Sequence, residues 1–263
     1  MPYPLYQVDA FTDNPFKGNP AAVCLLEKEA PVSWMQAVAR EMNLSETAFL
    51  NPEGDGWRLR WFTPKQEVDL CGHATLASAK VLFERQPDLR VNPIKFKTRS
   101  GELTACWVDS QVELDFPALS YQPISYEGDI NDALGFSPVE TVSSGDYVLF
   151  EAENEALIRN ASPDFAKIAT LPAAQVMITA ESKNPAFDFI SRFFAPRLGI
   201  DEDPVTGSAH CLLAPFWAEK MNKKEFTAYQ ASTRGGTLYL RLEDDRVRIS
   251  GDAVIVFKGK LSA

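Results

Sequence analysis

The chain has 263 residues, 45% hydrophobic and 24% charged, proportions of a folded globular protein that exclude disorder and fibre. With 26 basic against 36 acidic residues its formal charge is −10, which opposes nucleic-acid phosphates and anionic lipid surfaces. No stretch approaches the roughly 20 apolar residues of a membrane-spanning helix, and the first thirty residues, with Asp9 and Asp13, lack the pattern of a signal peptide. Cys24, Cys71, Cys106 and Cys211 form no CxxC pair, so free thiols in a reducing cytoplasm are expected. The only two histidines, His73 and His210, lie too far apart in sequence to announce a zinc site, and no glycine-rich nucleotide motif occurs; neither metal nor cofactor is expected.

In chain order, the alternation over Tyr3–Phe11 predicts a strand, Thr12–Pro20 a turn-rich loop, and Ala21–Leu26 a second strand. Trp34, Met35, Val38 and Met42 fall on one helical face, with Ser33 as a plausible N-cap. Glu46–Leu50 and Trp57–Phe62 read as strands around a turn, His73–Glu84 as a helix, and Ile94–Thr98, Leu103–Val108 and Val112–Phe116 as a meander. Residues 118–128, rich in proline and tyrosine, read as a linker between domains 1–117 and 129–253, with Tyr121 and Tyr126 at an interface or in packing. The second domain repeats the grammar. Strands are expected at Tyr147–Ala152, Gln175–Thr179, Phe187–Phe194, Phe226–Gln230, Thr237–Leu242, Arg246–Ile249 and Ala253–Phe257, a long helix at Gly207–Met221, and short helices within Ile130–Leu134 and Asn154–Ala169. Many antiparallel-looking strands with one long helix per half make this an α+β chain, not an alternating doubly wound one.

Comparison of the halves points to a duplication. Arg60-Trp61-Phe62-Thr63-Pro64 aligns with Arg192-Phe193-Phe194-Ala195-Pro196, and Cys71-Gly72-His73-Ala74 with Thr206-Gly207-Ser208-Ala209, with three more residues in the second loop. Each match reads as strand, proline, acidic loop and helix start. A helix start built of small residues exposes unpaired N–H groups and the positive dipole end, which bind carboxylate or phosphate; the alternative is that small residues only permit close packing. Asp69 precedes the first start, and Asp201, Glu202 and Asp203 the second; each is an acid-base candidate or a helix cap. His73 can act as acid, base or hydrogen-bond donor, whereas His210, one turn into its helix, reads as packed or exposed. Glu46, in Asn43-Leu-Ser-Glu46, reads as a capping box, a strand start or an acid-base group. Cys71 sits where a thiol is acidified, but its repeat partner is Thr206, which argues against a symmetric thiol pair.

Together these segments resemble the PhzF-like isomerase family of phenazine biosynthesis. The resemblance rests on Val8-Asp9-Ala10-Phe11-Thr12 with Asn14-Pro15-Phe16-x-Gly18-Asn19-Pro20-Ala21-Ala22-Val23, on Asn43-Leu44-Ser45-Glu46-Thr47, on Leu70-Cys71-Gly72-His73-Ala74-Thr75, and on Asp201 through Ala209. Gln230 with Arg234-Gly235-Gly236 is a looser match to its C-terminal motif. The resemblance implies a diaminopimelate-epimerase-like fold: two similar domains, each a curled, mainly antiparallel sheet or barrel around a central helix, an active site between them, and a last strand, 254–262, returning to the first domain. It implies Glu46 as the proton-transferring residue, His73 and Asp203 as its polar partners, and Ser45, Gly72, Gly207 and Ser208 lining the substrate site. The expected activity is a cofactor-independent isomerisation of a small carboxylate metabolite, in a homodimer. An amino-acid epimerase using Cys71 and a non-catalytic carboxylate-binding protein are the alternatives.

Overall fold

The computed structural model describes residues 2–125 and 130–262 and divides into two compact units: Met1–Asp115 with Ile249–Ala263, and Phe116–Arg248. In the first unit the Tyr3–Ala10 strand pairs antiparallel with Asn19–Leu25 on one side and with Ala253–Leu261 on the other, so the end of the chain closes the sheet that its beginning opens. Asn19–Leu25 runs parallel to Glu46–Glu53, which pairs antiparallel with Gly56–Phe62. That strand is parallel to Ile94–Thr98, from which Gly101–Val108 and Gln111–Pro117 continue as a meander.

The opening motif shapes the loop between the first two strands. Asp9 accepts the Phe16 N–H at 2.7 Å, and the Thr12 hydroxyl donates to the Asn14 carbonyl and accepts the Asn14 N–H. Gly18 has φ +63°, and a Cβ there would lie 2.1 Å from the Ala10 carbonyl oxygen, so only glycine closes this turn.

Strand alternation then fixes what faces what. Ala22, Cys24, Phe49 and Phe62 pack with Met35, Val38 and Ala39 of the Val32–Met42 helix. With a side-chain period of two, Glu46, Ala48 and Leu50 face the opposite side, where the Gly72–Arg85 helix packs on the same strands. That helix is buried nearly all round, from His73 to Phe83, which is why its sequence is apolar and small without a polar stripe.

The second unit has the same ladder. Tyr147–Glu151 runs parallel to Gln175–Glu181, which pairs antiparallel with Phe189–Ala195; that strand is parallel to Glu225–Gln230, followed by Gly236–Glu243. Its buried helix is Gly207–Met221, and the short helices Ile130–Leu134, Glu155–Asn160 and Phe165–Ile168 cover a core of Val148, Phe150, Val176, Ile178 and Phe194. The registers correspond residue by residue. Trp61 faces Val68 as Phe193 faces Asp203, Thr47 faces Phe62 as Val176 faces Phe194, and Ala21 faces Glu46 as Tyr147 faces Gln175.

Several local expectations are corrected. Ser33 is not the N-cap: the helix begins at Val32 behind Pro31, whose carbonyl accepts from Trp34 and Met35, because proline presets the entry dihedral and needs no side-chain cap. Asn43 and Glu46 form no capping box; Asn43 ends the preceding helix in the left-handed conformation, and Glu46 begins a strand. Within the expected linker, Gln122–Pro123 forms a short strand on Glu140–Ser144, and Tyr121 packs edge-to-face against Phe216 and donates to Glu219. Tyr126 and residues 127–128 lie outside the described residues. Trp61, Phe193 and Phe194 lie in the core, as aromatics at strand spacing usually do. All four cysteines are free thiols, and among the described residues no helix is long and apolar enough to cross a membrane.

Candidate active site

Glu46 starts a strand, Cys71 is the residue before the first buried helix, and His73 is the second residue within it. Because that strand packs on that helix, residues distant in sequence meet as one buried cluster, their ligand-type atoms all within 4.8 Å of one another. The Cys71 Sγ lies 3.5 Å from His73 Nδ1 and 4.0 Å from Nε2. Nε2 lies 3.1 Å from Glu46 Oε2. This ion pair is poorly aligned, and Oε2 remains buried without a hydrogen bond of good geometry.

Charge in this cluster is set by mutual fields. For His73, burial favours the neutral ring, but the Cys71 sulfur and the Glu46 carboxylate outweigh it and hold the imidazolium well above the usual histidine range. Burial, reinforced by the Glu46 carboxylate, pushes the Cys71 thiol up to about 11. Near neutral pH the thiol holds its proton, so the Cys71 sulfur acts on His73 as a hydrogen-bond partner and the charge that favours the imidazolium comes from the Glu46 carboxylate. A carboxylate beside a cationic imidazole in a dry pocket is an acid-base couple: one group takes a proton while the other holds or returns one.

The acidic residues before the helix starts separate sharply. Asp69 is exposed and paired with Arg99, Asp201 is exposed, and Glu202 is held by Arg192; Asp203 alone turns inward. Its carboxylate accepts from the Thr206 hydroxyl at 2.5 Å. Gln230, wholly buried, locks the same turn: its Oε1 accepts the Thr206 N–H at 2.8 Å while its Nε2 donates to the Asp203 carbonyl at 2.7 Å and to the Thr206 Oγ1 at 3.2 Å. Sequence reasoning gave Gln230 no role, although it stood beside the glycine motif. The tight packing of Gly235, whose Cβ would fall 2.0 Å from the Tyr229 hydroxyl, explains that motif's second element.

Neither buried helix is side-chain capped at its start among the described residues, and neither has an acidic residue in its first turn. No carboxylate within either first turn competes for the N–H groups that follow Cys71 and Thr206, which are of the kind that binds anions. Gly72 and Ser208 are partly exposed at these starts and Gly207 is buried, while Ser45 is partly exposed next to Glu46. Glu46, Cys71 and His73 belong to the first unit, and Asp203, Gly207 and Ser208 to the second. His210 is fully buried and stacked on Phe189; its Nδ1 donates to the Thr206 carbonyl at 2.8 Å, and burial lowers its pKa to about 4, so it is a neutral structural residue.

The duplication extends to the chemistry. By ladder register Gln175 occupies the position of Glu46, while Thr206 and Ser208 occupy those of Cys71 and His73. In the second unit the space is bridged by Tyr147, hydrogen-bonded to Ser208 and Gln175. The supporting ion pair is duplicated too. Arg60 grips Glu67 through two 2.7 Å bonds, and Arg192 grips Glu202 at 2.7 and 2.9 Å, each tying its strand to the short strand that precedes the helix.

Comparison with known proteins agrees with this architecture. The profile of the phenazine biosynthesis-like protein family, PhzC-PhzF, matches residues 8–259. An uncharacterized isomerase of Halalkalibacterium halodurans is 50% identical over 264 residues, covering 99% of each chain. The crystal structure of a phenazine biosynthesis protein of the PhzF family from Enterococcus faecalis superposes with a TM-score of 0.96 at 42% identity, covering 100% of both chains. A probable proline racemase from Agrobacterium radiobacter shares the fold alone, with a TM-score of 0.64 at 13% identity over 99% of this chain and 93% of that one. The α+β architecture of two similar units is therefore that of the PhzF and proline-racemase structures, and the chain belongs to the phenazine biosynthesis-like PhzC-PhzF family.

Proposed function

We propose that the protein is an isomerase that moves a carbon-bound proton on a small carboxylate metabolite, with Glu46 as the acid-base group. The observation that carries this reading is the buried Glu46–His73 pair at 3.1 Å, whose Oε2 has no aligned hydrogen bond and is free to take a substrate proton. Relatives called isomerases along the full length of the chain support the reaction class. In this reading Glu46 removes the proton as the substrate's conjugated system takes up the charge. His73, held cationic, stabilises the resulting carboxyl or enolate oxygen and keeps Glu46 oriented. The N–H groups at Gly72 bind the substrate carboxylate, Asp203 is the further polar partner of Glu46, and Gly207, Ser208 and Ser45 take the substrate-lining roles that the family resemblance implies. These side chains supply both the proton acceptor and the electrostatic stabilisation, so the scheme calls for no cofactor.

A mechanism with Cys71 as one of two thiol bases is disfavoured. Its thiol is held protonated, pushed up to about 11, and its counterpart in the second unit is Thr206. Proton NMR in D₂O with a panel of cyclic and amino-acid carboxylates tests the proposal. Wild type is expected to exchange a carbon-bound proton of at least one compound, and Glu46→Gln, correctly folded, to exchange none. Undiminished exchange by Glu46→Gln would remove Glu46 from the reaction, and binding without any exchange would leave a carboxylate-binding protein.

A further inference from the structure

The Glu46, Cys71 and His73 side chains offer three donors drawn from the set that zinc uses: a thiol sulfur, an imidazole nitrogen and a carboxylate oxygen. A tetrahedral zinc ion with bonds of about 2.3 Å to sulfur and about 2.0–2.1 Å to nitrogen and oxygen holds its donors about 3.3–3.6 Å apart. Here the Glu46 oxygen lies 3.1 Å from Nε2, the sulfur lies 3.5 Å from Nδ1 and 4.0 Å from Nε2, and the ligand atoms are within 4.8 Å of one another, so a turn of the imidazole with side-chain shifts of about 1 Å brings all three to tetrahedral spacing. All three residues are buried, and they sit on a strand start and a helix start whose positions the core fixes. Glu46 Oε2, 3.1 Å from the imidazole Nε2, is a buried acceptor without an aligned hydrogen bond and faces the cluster.

We propose that Glu46, Cys71 and His73 bind one zinc ion per chain, with a fourth coordination position left for water or a substrate carboxylate, and that the bound ion shuts off proton transfer. Binding releases the Cys71 thiol proton and the imidazolium proton to solvent. The thiolate and carboxylate then offset the ion's two positive charges, so the dry pocket holds no net charge. The sulfur ligand favours zinc and its soft neighbours over magnesium or calcium, which take all-oxygen shells. The stoichiometry follows from the duplication: the corresponding residues of the second unit, Gln175, Thr206 and Ser208, provide no such donor set. Inhibition rests on the reading of Glu46 and His73 as the acid-base couple, because the ion would occupy the same two atoms; binding itself does not.

Metal-stripped, untagged full-length protein titrated calorimetrically with Zn²⁺ is expected to take up one ion per chain, with Mg²⁺ neither binding nor competing. Co²⁺ is expected to produce a thiolate-to-metal charge-transfer band in the wild type. Cys71→Ser should abolish that band and weaken Zn²⁺ by at least about 100-fold, the upper end of what loss of even an outer-shell partner costs. Cys106→Ser should change neither. If Cys71→Ser does not fold, the wild-type Co²⁺ band and its absence in Glu46→Gln or His73→Ala decide instead. No stoichiometric uptake, no thiolate band, or binding indifferent to Cys71→Ser would overturn the site, and proton exchange unaffected by saturating Zn²⁺ would overturn the shut-off. Zinc uptake with no proton exchange on any compound would uphold the site and sink the isomerase reading, so the two failures are separable.

Discussion

The two units carry one scaffold and two chemistries. At corresponding positions the first has Glu46, Cys71 and His73, and the second Gln175, Thr206 and Ser208 with Tyr147 bridging. The first trio holds a buried imidazolium against a carboxylate; in the second, the strand and helix-start positions are neutral polar groups. The scaffold itself, including the bidentate Arg–Glu clamp before each helix, is kept in both. What differs between the copies is therefore not how the turn is built but whether it carries a cluster of ionisable side chains, which separates structural from chemical demands within one chain.

Changes at the corresponding strand positions test that separation most strongly. Glu46→Gln, which makes the first unit resemble the second, is expected to lower proton exchange in D₂O by about 10²- to 10⁴-fold, the contribution of a positioned general base, while circular dichroism stays native. Gln175→Asn should cost less than tenfold in the same assay; an equal loss would show that the two positions share the chemistry. Breaking either clamp should instead cost stability. Glu67→Gln and Glu202→Gln each leave a largely buried arginine short of its charge partner, and urea denaturation should report about 3 kcal/mol for each, near the low end for a one-sided break. Arg192→Ala should exceed Arg60→Ala, because Arg192 also donates to the Ile158 and Ala161 carbonyls whereas Arg60's extra partner, Glu29, is exposed.

The two histidines should differ in what acid does to them. His210 is neutral when folded, with a pKa lowered to about 4, and unfolds to an ordinary value near 6.5. The unfolded chain thus binds the extra proton between these values. The stability His210 contributes is complete above about pH 6.5 and falls as the pH drops toward about 4, by on the order of 3 kcal/mol. His210→Asn, which can keep the donor to the Thr206 carbonyl, should flatten that part of the stability-versus-pH curve; an unchanged slope would show that the ring protonates freely in the fold. Gln230→Leu should cost about 2–3 kcal/mol by removing three hydrogen bonds and leaving the Thr206 N–H and the Asp203 carbonyl without them, against about 1 kcal/mol for Thr98→Ala at the corresponding register position. The smallest contrast is at helix starts. Asn154→Ala should lower stability by about 1 kcal/mol because its side chain accepts the Leu157 N–H, while Ser33→Ala should stay within about 0.5 kcal/mol.

Legibility followed the range of the interaction. The strands at Ile94–Thr98 and the helix at Gly207–Met221 could be read residue for residue, because alternation and an uninterrupted apolar run are local signals. The short pieces Glu67–Val68, Gln122–Pro123, Glu140–Ser144 and Ile200–Asp203 were not foreseen, since their strand state comes from a partner strand and not from their own pattern. The Arg60 and Arg192 matches were visible as letters. That each is one half of a clamp to Glu67 or Glu202 was not, because nothing in composition pairs an arginine with one acid among several.

The sequence alone determined the α+β class, the duplicated grammar, the family motifs, and the residues on which chemistry could rest. Tertiary structure decided which of those residues meet. Glu46 and His73 were singled out, but that Cys71 joins them to complete a three-donor pocket depends on the strand at Glu46 packing against the helix at Gly72. Asp203 turns inward and Asp69 outward for the same kind of reason. Spacing along a chain encodes neighbours within an element, whereas burial and the local field that sets a proton's affinity are summed over every element that closes around the site.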